Sequence, residues 1–169
     1  GPRTVFDTLN LLWALMEVFD HAVMVPRVRE IERAYDYTQG ASGAADPVRV
    51  FAPIWREPWM TFNRDTYAHD ILRVCGGINV FTDRERRFPL EADLGQVEPL
   101  SEDDPQVQGR DRRYPRLAIE EIVAAQPDVV LLPDEPYAFG PVDAAFFGSL
   151  EIPAAENQRI FTLDGSLLT

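Results

Sequence analysis

Cysteine and histidine are scarce in this chain of 169 residues, which contains one cysteine and two histidines. A single cysteine, Cys75, excludes an internal disulfide and any zinc site built from several cysteines. The two histidines, His21 and His69, cannot form a multi-histidine metal cage, and the H-E-x-x-H spacing is absent. The sequence therefore predicts neither a resident metal nor a resident cofactor.

Positive charge is also in short supply. The sequence contains 16 Lys and Arg residues and 28 Asp and Glu residues, which gives a net charge of −12. Nucleic acids are bound through a surplus of basic side chains, so this composition argues against a nucleic-acid partner. The longest apolar runs, such as Val129 to Pro133, are far too short to cross a bilayer.

Several sequence motifs of catalysis and nucleotide binding are missing. Neither G-x-G-x-x-G nor G-x-x-x-x-G-K-[ST] occurs, so dinucleotides and nucleoside triphosphates are not expected ligands. The G-x-S-x-G motif of serine hydrolases is absent as well. No catalytic residue is predicted on these grounds.

The first quarter of the chain has helical periodicity. Apolar residues recur at steps of three and four between Leu9 and Phe19, which predicts a helical segment over residues 1–39. Pro26 is predicted to start a second helix, because proline is favoured in a first turn. Residues 40–47 are rich in glycine and alanine and are predicted to be a linker between two domains.

Residues 48–169 alternate between strand and helix patterns. Strands are predicted at 48–53, 79–81, 128–133 and 159–164, with a long irregular excursion at 82–113. This order predicts an α/β fold: a three-layer, Rossmann-like, mostly parallel sheet flanked by helices and preceded by a long backbone helix. Within it, Asp65 is predicted to cap a helix that ends at Gly76, with Cys75 buried on its apolar face.

In such sheets, ligands bind beyond the carboxyl ends of the strands, and the loops there are rich in aromatic residues. Two interpretations of Trp55 and Trp59 stay open. They pack under their loop as a hydrophobic cluster, or they form a stacking wall for a flat, mostly apolar ligand. In the second case Arg56 offers a charge to an acidic group, unless Glu57 pairs with it. The predicted ligand-binding residues are Trp55, Arg56, Trp59, Tyr114, Glu135 and Tyr137.

Four segments, in this order, resemble those of one protein family. They are Arg49-Val-Phe-Ala-Pro-Ile-Trp-Arg-Glu-Pro-Trp-Met60, Cys75-Gly-Gly-Ile-Asn-Val-Phe81, Tyr114-Pro115 followed by Glu120-Glu121, and Gln126-Pro-Asp-Val-Val-Leu-Leu132. The sequence resembles the C-terminal lobe of class III substrate-binding proteins, the helical-backbone receptors of ABC importers for cobalamin, haem and ferric siderophores. The resemblance covers residues 1–169, with the N-terminal helical segment similar to the interlobe helix. It implies that the N-terminal lobe is missing.

The resemblance implies a binding function without catalysis. The chain is expected to be the substrate-binding component of an ABC importer for a metal chelate: a corrinoid, a ferric siderophore or haem. The implied location is the periplasm or the extracytoplasmic face of a membrane, and the implied partners are an ABC transporter permease and a separate N-terminal lobe. In the family, a Trp-Pro pair ahead of a helix places its aromatic ring in the ligand cleft, whereas this sequence has the smaller ring of a tyrosine, and a surface glutamate six residues later docks onto permease arginines. These roles fall to Tyr114 and Glu120.

Two other function classes stay open at the level of sequence. One is a small α/β enzyme that acts on a planar aromatic substrate, with Asp134 or Glu135 as general base. The other is a protein-interaction domain, which would bind no small molecule at all. Turnover of chromogenic esters or phosphates would favour the enzyme.

Overall fold

The computed structural model of the chain describes residues 1–16, 18–19 and 21–168. Its helices are α1 (Val5–Leu15), α2 (His21–Gly43), α3 (Tyr67–Val74), α4 (Leu90–Asp93), α5 (Ile119–Ala124), α6 (Pro141–Gly148) and α7 (Pro153–Glu156). Its strands are β1 (Val48–Phe51), β2 (Trp59–Met60), β3 (Gly77–Asn79), β4 (Arg116–Leu117), β5 (Val129–Pro133) and β6 (Ile160–Leu163). A short 3₁₀ helix, Gly165–Leu167, follows β6.

Four strands form one parallel sheet in the order β3–β1–β5–β6. Val50 of β1 is paired with Asn79 of β3 on one side and with Val129 of β5 on the other. The chain thus adds β3 to one edge of β1 and then crosses over to add β5 to the other edge. Such a reversal is a topological switch point, where the loops after the two central strands diverge and leave a crevice. The predicted parallel α/β sheet is confirmed.

Each face of the sheet has its own hydrophobic core, because side chains alternate along a strand. Phe51 and Val130 face a first core that contains Phe147 of α6. Val50 faces a second core that contains Leu72 of α3. Helices therefore cover both faces, as the predicted three-layer arrangement requires.

Helix α2 extends beyond the predicted bounds at both ends. It begins at His21, so Pro26 is its sixth residue instead of its first, and the buried Val28 lies two residues later. It continues to Gly43, so residues 40–43 of the predicted linker are helical. The Ser42 hydroxyl donates a hydrogen bond to the Val74 carbonyl at 2.8 Å, which attaches this end of α2 to α3. That tertiary contact outweighs the low helix propensity of the glycines.

Helix α3 differs from the prediction at its cap and at Cys75. The cap is Thr66, whose hydroxyl accepts a hydrogen bond from the His69 N–H at 3.3 Å, so the prediction of Asp65 was wrong by one residue. Cys75 is exposed, since it follows the last helical residue and leaves the buried face of the helix. Gly76 ends the helix as predicted, with a φ of +84° that favours glycine.

A buried ion pair holds the excursion 82–113 against the sheet domain. Arg84 Nη1 donates to Asp93 Oδ1 at 2.9 Å, and the two side chains are only 9% and 0% exposed. Arg84 Nε donates to Glu121 of α5 at 2.6 Å, and Asp93 Oδ2 accepts from the Arg116 N–H at 2.7 Å. The excursion, which includes α4, is therefore fixed to both β4 and α5.

Candidate functional site

The loops after β1 and β5 meet at the switch point of the sheet. Trp55 lies in the first loop and Tyr137 in the second, and their ring centroids are 5.7 Å apart at an interplanar angle of 73°. The Trp55 side chain is exposed, whereas Tyr137 is half-buried. The structure thus brings together two of the predicted ligand-binding residues as an edge-to-face pair at the crevice.

Trp59 lies deeper than Trp55 and belongs to the first core. Its ring centroid is 4.9 Å from that of Phe147 and 6.1 Å from that of Phe139. The cause is the pairing of β2 with β4, which sets Trp59 opposite the buried Leu117. Of the two open interpretations, packing under the loop describes Trp59. Trp55 is exposed, and its role as a stacking wall for a ligand stays a prediction.

An apolar cavity of about 420 Å³ lies on the other side of the β2–β4 pair. It is lined by Ile54, Met60, Phe62, Thr66, Tyr67, Ala68, Tyr114, Pro136 and Leu168. Met60 reaches it because neighbouring residues of a strand point to opposite sides, and Trp59 takes the core side. The volume is within the range of small-molecule pockets. Of the predicted ligand-binding residues, Tyr114 is the one that lines this cavity.

Eight of the nine residues that line the cavity were not among the predicted ligand-binding residues, and Tyr67 and Leu168 are two of them. Tyr67 is the first residue of α3, directly after a loop that leaves the strand ends. The rule that ligands bind beyond those ends could have selected it. Leu168 carries no such signal, because it reaches the second core only through the turn that follows β6.

Arg56 does not offer a free charge to a ligand. Its Nη1 donates to Asp143 Oδ1 at 2.7 Å, and Glu57 lies 3.5 Å from its Nε. Desolvation opposes the charged form, but the hydrogen bond and the attraction of Asp143 outweigh it and raise the pKa of Arg56. Asp143 also accepts from the Gly140 N–H at 2.9 Å at the start of α6. The contact therefore joins the two loops, and the expectation that Arg56 receives an acidic ligand group is not supported.

The carboxylates that follow β5 serve the loop structure. Asp134 Oδ1 accepts a hydrogen bond from the Gly165 N–H at 2.7 Å, and the neighbouring Glu135 is exposed. Among the described residues, neither carboxylate contacts a hydroxyl or thiol that it could activate. This arrangement gives no support to the alternative of a small enzyme with Asp134 or Glu135 as base.

Gly165 is required for the shape of this loop. A Cβ atom there would lie 2.7 Å from the Glu135 carbonyl oxygen and 2.8 Å from its nitrogen. We expect Gly165→Ala to displace the Glu135–Pro136 segment, which borders the cavity, and to lower the free energy of unfolding by about 1–3 kcal/mol. Urea unfolding measures the loss. The control is Gly148→Ala at the end of α6, where a Cβ has ordinary van der Waals space and stability should not fall. Equal stability of the two variants would contradict the prediction.

Glu120 lies in the first turn of α5, three residues after the end of β4. It is exposed, as predicted, and makes no ion pair within the described part of the chain. Its neighbour Glu121 is held by Arg84. Glu120 is therefore the carboxylate of this turn that is available to a partner.

Two features concern metals and membranes. Among residues 1–16, 18–19 and 21–168, no group of three or more His, Cys, Asp or Glu side chains is placed to hold a metal ion. Across the same residues, no helix combines the length and apolarity that a membrane span needs.

Comparison with known proteins finds relatives of one kind. The vitamin B12-binding protein of Vibrio cholerae is 24% identical over 177 aligned positions, which cover 98% of this chain and 53% of that protein. The chain thus spans about half the length of this curated relative. No family model matches the chain.

Solved structures agree with this result. The periplasmic vitamin B12 binding protein BtuF of Vibrio cholerae superposes with a TM-score of 0.70 at 18% identity, over 99% of this chain and 55% of that one. The periplasmic heme-binding protein RhuT from Roseiflexus sp. RS-1 gives 0.65 at 19% identity, over 95% and 54%. These similar proteins are class III periplasmic binding proteins, so the resemblance stated from the sequence is confirmed.

Proposed function

We propose that this chain, whose fold and relatives are those of class III periplasmic binding proteins, is a substrate-binding component of an ABC importer for a metal chelate. The chelate is a corrinoid, a ferric siderophore or haem. The observation that carries the proposal is the contact between the exposed Trp55 and the half-buried Tyr137, beside an apolar cavity of about 420 Å³ at the switch point of the sheet.

The chemistry of the crevice suits the organic part of such a ligand. Aromatic rings and aliphatic side chains bind flat or bulky apolar groups by burial, and the lining of the cavity includes Tyr67 and Tyr114. The metal arrives already held by its own chelator, so the protein needs no coordinating cluster. Catalysis has no part in this proposal.

A second lobe is part of the proposal. The curated relative is about twice as long as this chain, and Trp55 at the crevice is exposed. A lobe that faces Trp55 and Tyr137 would bury the opposite side of the chelate, as small-molecule sites bury most of their ligand. The two lobes together would bind the chelate on the outer side of a cytoplasmic membrane, where they could contact the permease.

Tryptophan fluorescence tests ligand binding directly. The chain is titrated with cyanocobalamin, haemin and a ferric hydroxamate siderophore, with correction for the absorbance of each ligand. We expect saturable quenching by at least one of them. We also expect Tyr114→Ala to weaken that binding about tenfold, because it removes an aromatic wall of the cavity.

The matched control is Tyr37→Ala, which removes a tyrosine that is exposed on α2, far along the chain from the crevice. It should bind as the unchanged protein does. If no chelate quenches the fluorescence, or if both tyrosine variants bind equally well, the proposed site is wrong.

Glu120 is proposed to dock onto arginines of the permease. We expect Glu120→Ala to change the free energy of unfolding by no more than about 0.5 kcal/mol, because the side chain is exposed and has no ion-pair partner among the described residues. Binding to the permease should weaken by about 1.5 kcal/mol or more if the pair is partly desolvated at the interface. Pull-down with the permease in detergent, together with an uptake assay, measures this effect. Glu156→Ala, an exposed first-turn carboxylate of α7, is the control and should dock normally. Normal docking by Glu120→Ala would refute the role.

A further inference from the structure

The positive charge of this acidic chain is concentrated within and directly after the excursion 82–113. All 16 basic side chains are arginines, and seven of them lie between residues 84 and 116. Three of the seven guanidinium groups have a carboxylate partner, a fourth belongs to the exposed Arg87, and the remaining three lie near one another. These three are Arg86, Arg110 and Arg116.

Two of these arginines stack on the same ring. The guanidinium carbons of Arg86 and Arg110 lie 4.7 Å and 4.4 Å from the ring centroid of Phe88. Phe88 is buried, so both planar cations are held in place by a fixed aromatic side chain. Arg116 comes from β4, and its Nη1 donates to the Tyr114 carbonyl at 2.8 Å. The cluster therefore adjoins the segment that places Tyr114 at the cavity.

The carboxylates around the cluster are already occupied. Asp93 binds Arg84, and Asp111 binds Arg113. Glu85 and Glu102 both bind Arg112. Within the described residues, no carboxylate therefore forms an ion pair with Arg86, Arg110 or Arg116.

Arg86 has a further unmet requirement. Its Nε is buried and has no hydrogen-bond acceptor among the described residues. Burial, together with repulsion by Arg116 and Arg110, lowers the pKa of Arg86, and the attraction of Asp93 and Asp111 only partly offsets this. A donor that is buried without an acceptor is unfavourable, and an anion at this place would both accept from it and relieve the repulsion.

We propose that Arg86, Arg110 and Arg116 form a binding site for an oxyanion, a carboxylate or a phosphate. Guanidinium groups bind both through paired N–H donors, and the stacking on Phe88 keeps two of the three forks ordered before the anion arrives. The anion is either free in solution or an acidic group of the ligand in the adjacent crevice. Anion binding itself goes beyond the proposed function and does not depend on it.

The first experiment uses anions without any chelate. Inorganic phosphate and citrate are titrated into the protein by isothermal calorimetry at low salt, and we expect saturable binding that weakens as sodium chloride is added. Arg110→Gln and Arg116→Gln should each raise the dissociation constant about tenfold. Arg29→Gln removes an exposed arginine of α2 and serves as the charge-matched control, with binding unchanged.

Thermal unfolding of each variant separates binding from folding. Arg110 is exposed, so its replacement should leave the fold intact. Arg86→Lys, which keeps the charge but loses the planar fork, should also weaken binding. If neither anion binds, or if Arg110→Gln and Arg29→Gln reduce binding equally, the site does not exist. If Arg110→Gln lowers only thermal stability, the arginines merely cover Phe88 and the proposal is overturned.

A second experiment identifies the source of the anion. A carboxylate-bearing ferric chelate and a neutral ferric hydroxamate are compared in the fluorescence titration, using Arg110→Gln. If Arg110→Gln loses affinity for the carboxylate chelate alone, the anion is an acidic group of the crevice ligand. If Arg110→Gln binds both chelates as the unchanged protein does but loses affinity for phosphate, the anion is a free one. Loss of affinity for the neutral chelate as well would contradict an oxyanion site. Failure of every chelate to bind would refute the proposed function but not the phosphate result.

Discussion

Asp93→Ala should be among the most destabilising single substitutions in this protein, with a loss of about 3–5 kcal/mol in the free energy of unfolding. The Asp93 side chain is inaccessible to solvent and accepts three hydrogen bonds, from the Arg84 guanidinium and from the N–H groups of Arg87 and Arg116. Its removal leaves a buried arginine and two backbone donors without this acceptor, and such groups are costly when unpaired. Chemical denaturation in urea measures the loss.

The control for Asp93→Ala comes from the same excursion. Glu102 also pairs with an arginine, Arg112, at 2.9 Å, but its side chain is 78% exposed. Glu102→Ala should therefore change stability by no more than about 1 kcal/mol. Replacing Arg84 by Met in the Asp93→Ala background should recover part of the loss, because the buried charge is then gone. If Asp93→Ala and Glu102→Ala were equally stable, burial of the ion pair would not hold the excursion.

Asp93→Ala should also affect the candidate site. Asp93 anchors the N–H of Arg116, and β4 pairs Arg116 with Met60. Met60, the partner of Arg116 in this pairing, and Tyr114, two residues before Arg116, both line the cavity. A released excursion therefore loosens one wall of the ligand site, and weaker chelate binding should accompany the loss of stability.

Three of the four strands of the parallel sheet could be predicted from the sequence, because each is a largely apolar run between turn residues. The strands β1, β5 and β6 lie within the predicted ranges 48–53, 128–133 and 159–164. The carboxyl-end rule then selected the loops of Trp55 and Tyr137, which the structure brings into contact. Local pattern and topology together were sufficient for these features.

The remaining features depend on contacts between distant parts of the chain. The strands β2 and β4 have two residues each, too few to show any period, and they exist only because they pair with each other. Arg56 forms an ion pair with Asp143, which lies 87 residues later in the chain, and no spacing rule predicts such a pair. The helical state of residues 40–43 likewise depends on the hydrogen bond from Ser42 to Val74.

The two tryptophans of the β1 loop should therefore behave differently when each is replaced by alanine. Trp59→Ala removes a ring that packs on Phe139, Phe146 and Phe147, and we expect it to lower the free energy of unfolding by about 3 kcal/mol. Trp55 is 43% exposed, so Trp55→Ala should lower it by no more than about 1 kcal/mol. Urea unfolding of both variants measures the difference.

Ligand binding should show the opposite order. Trp55→Ala removes one ring of the exposed edge-to-face pair with Tyr137, so we expect chelate affinity to fall about fivefold to tenfold, the equivalent of an aromatic contact of about 1–1.5 kcal/mol. Folded Trp59→Ala, assayed at a temperature where it is still native, should bind more nearly as the unchanged protein does. A larger binding defect in Trp59→Ala than in Trp55→Ala would mean that the buried ring, and not the exposed one, forms the ligand wall. Equal stability of the two variants would contradict the placement of Trp59 in the first core.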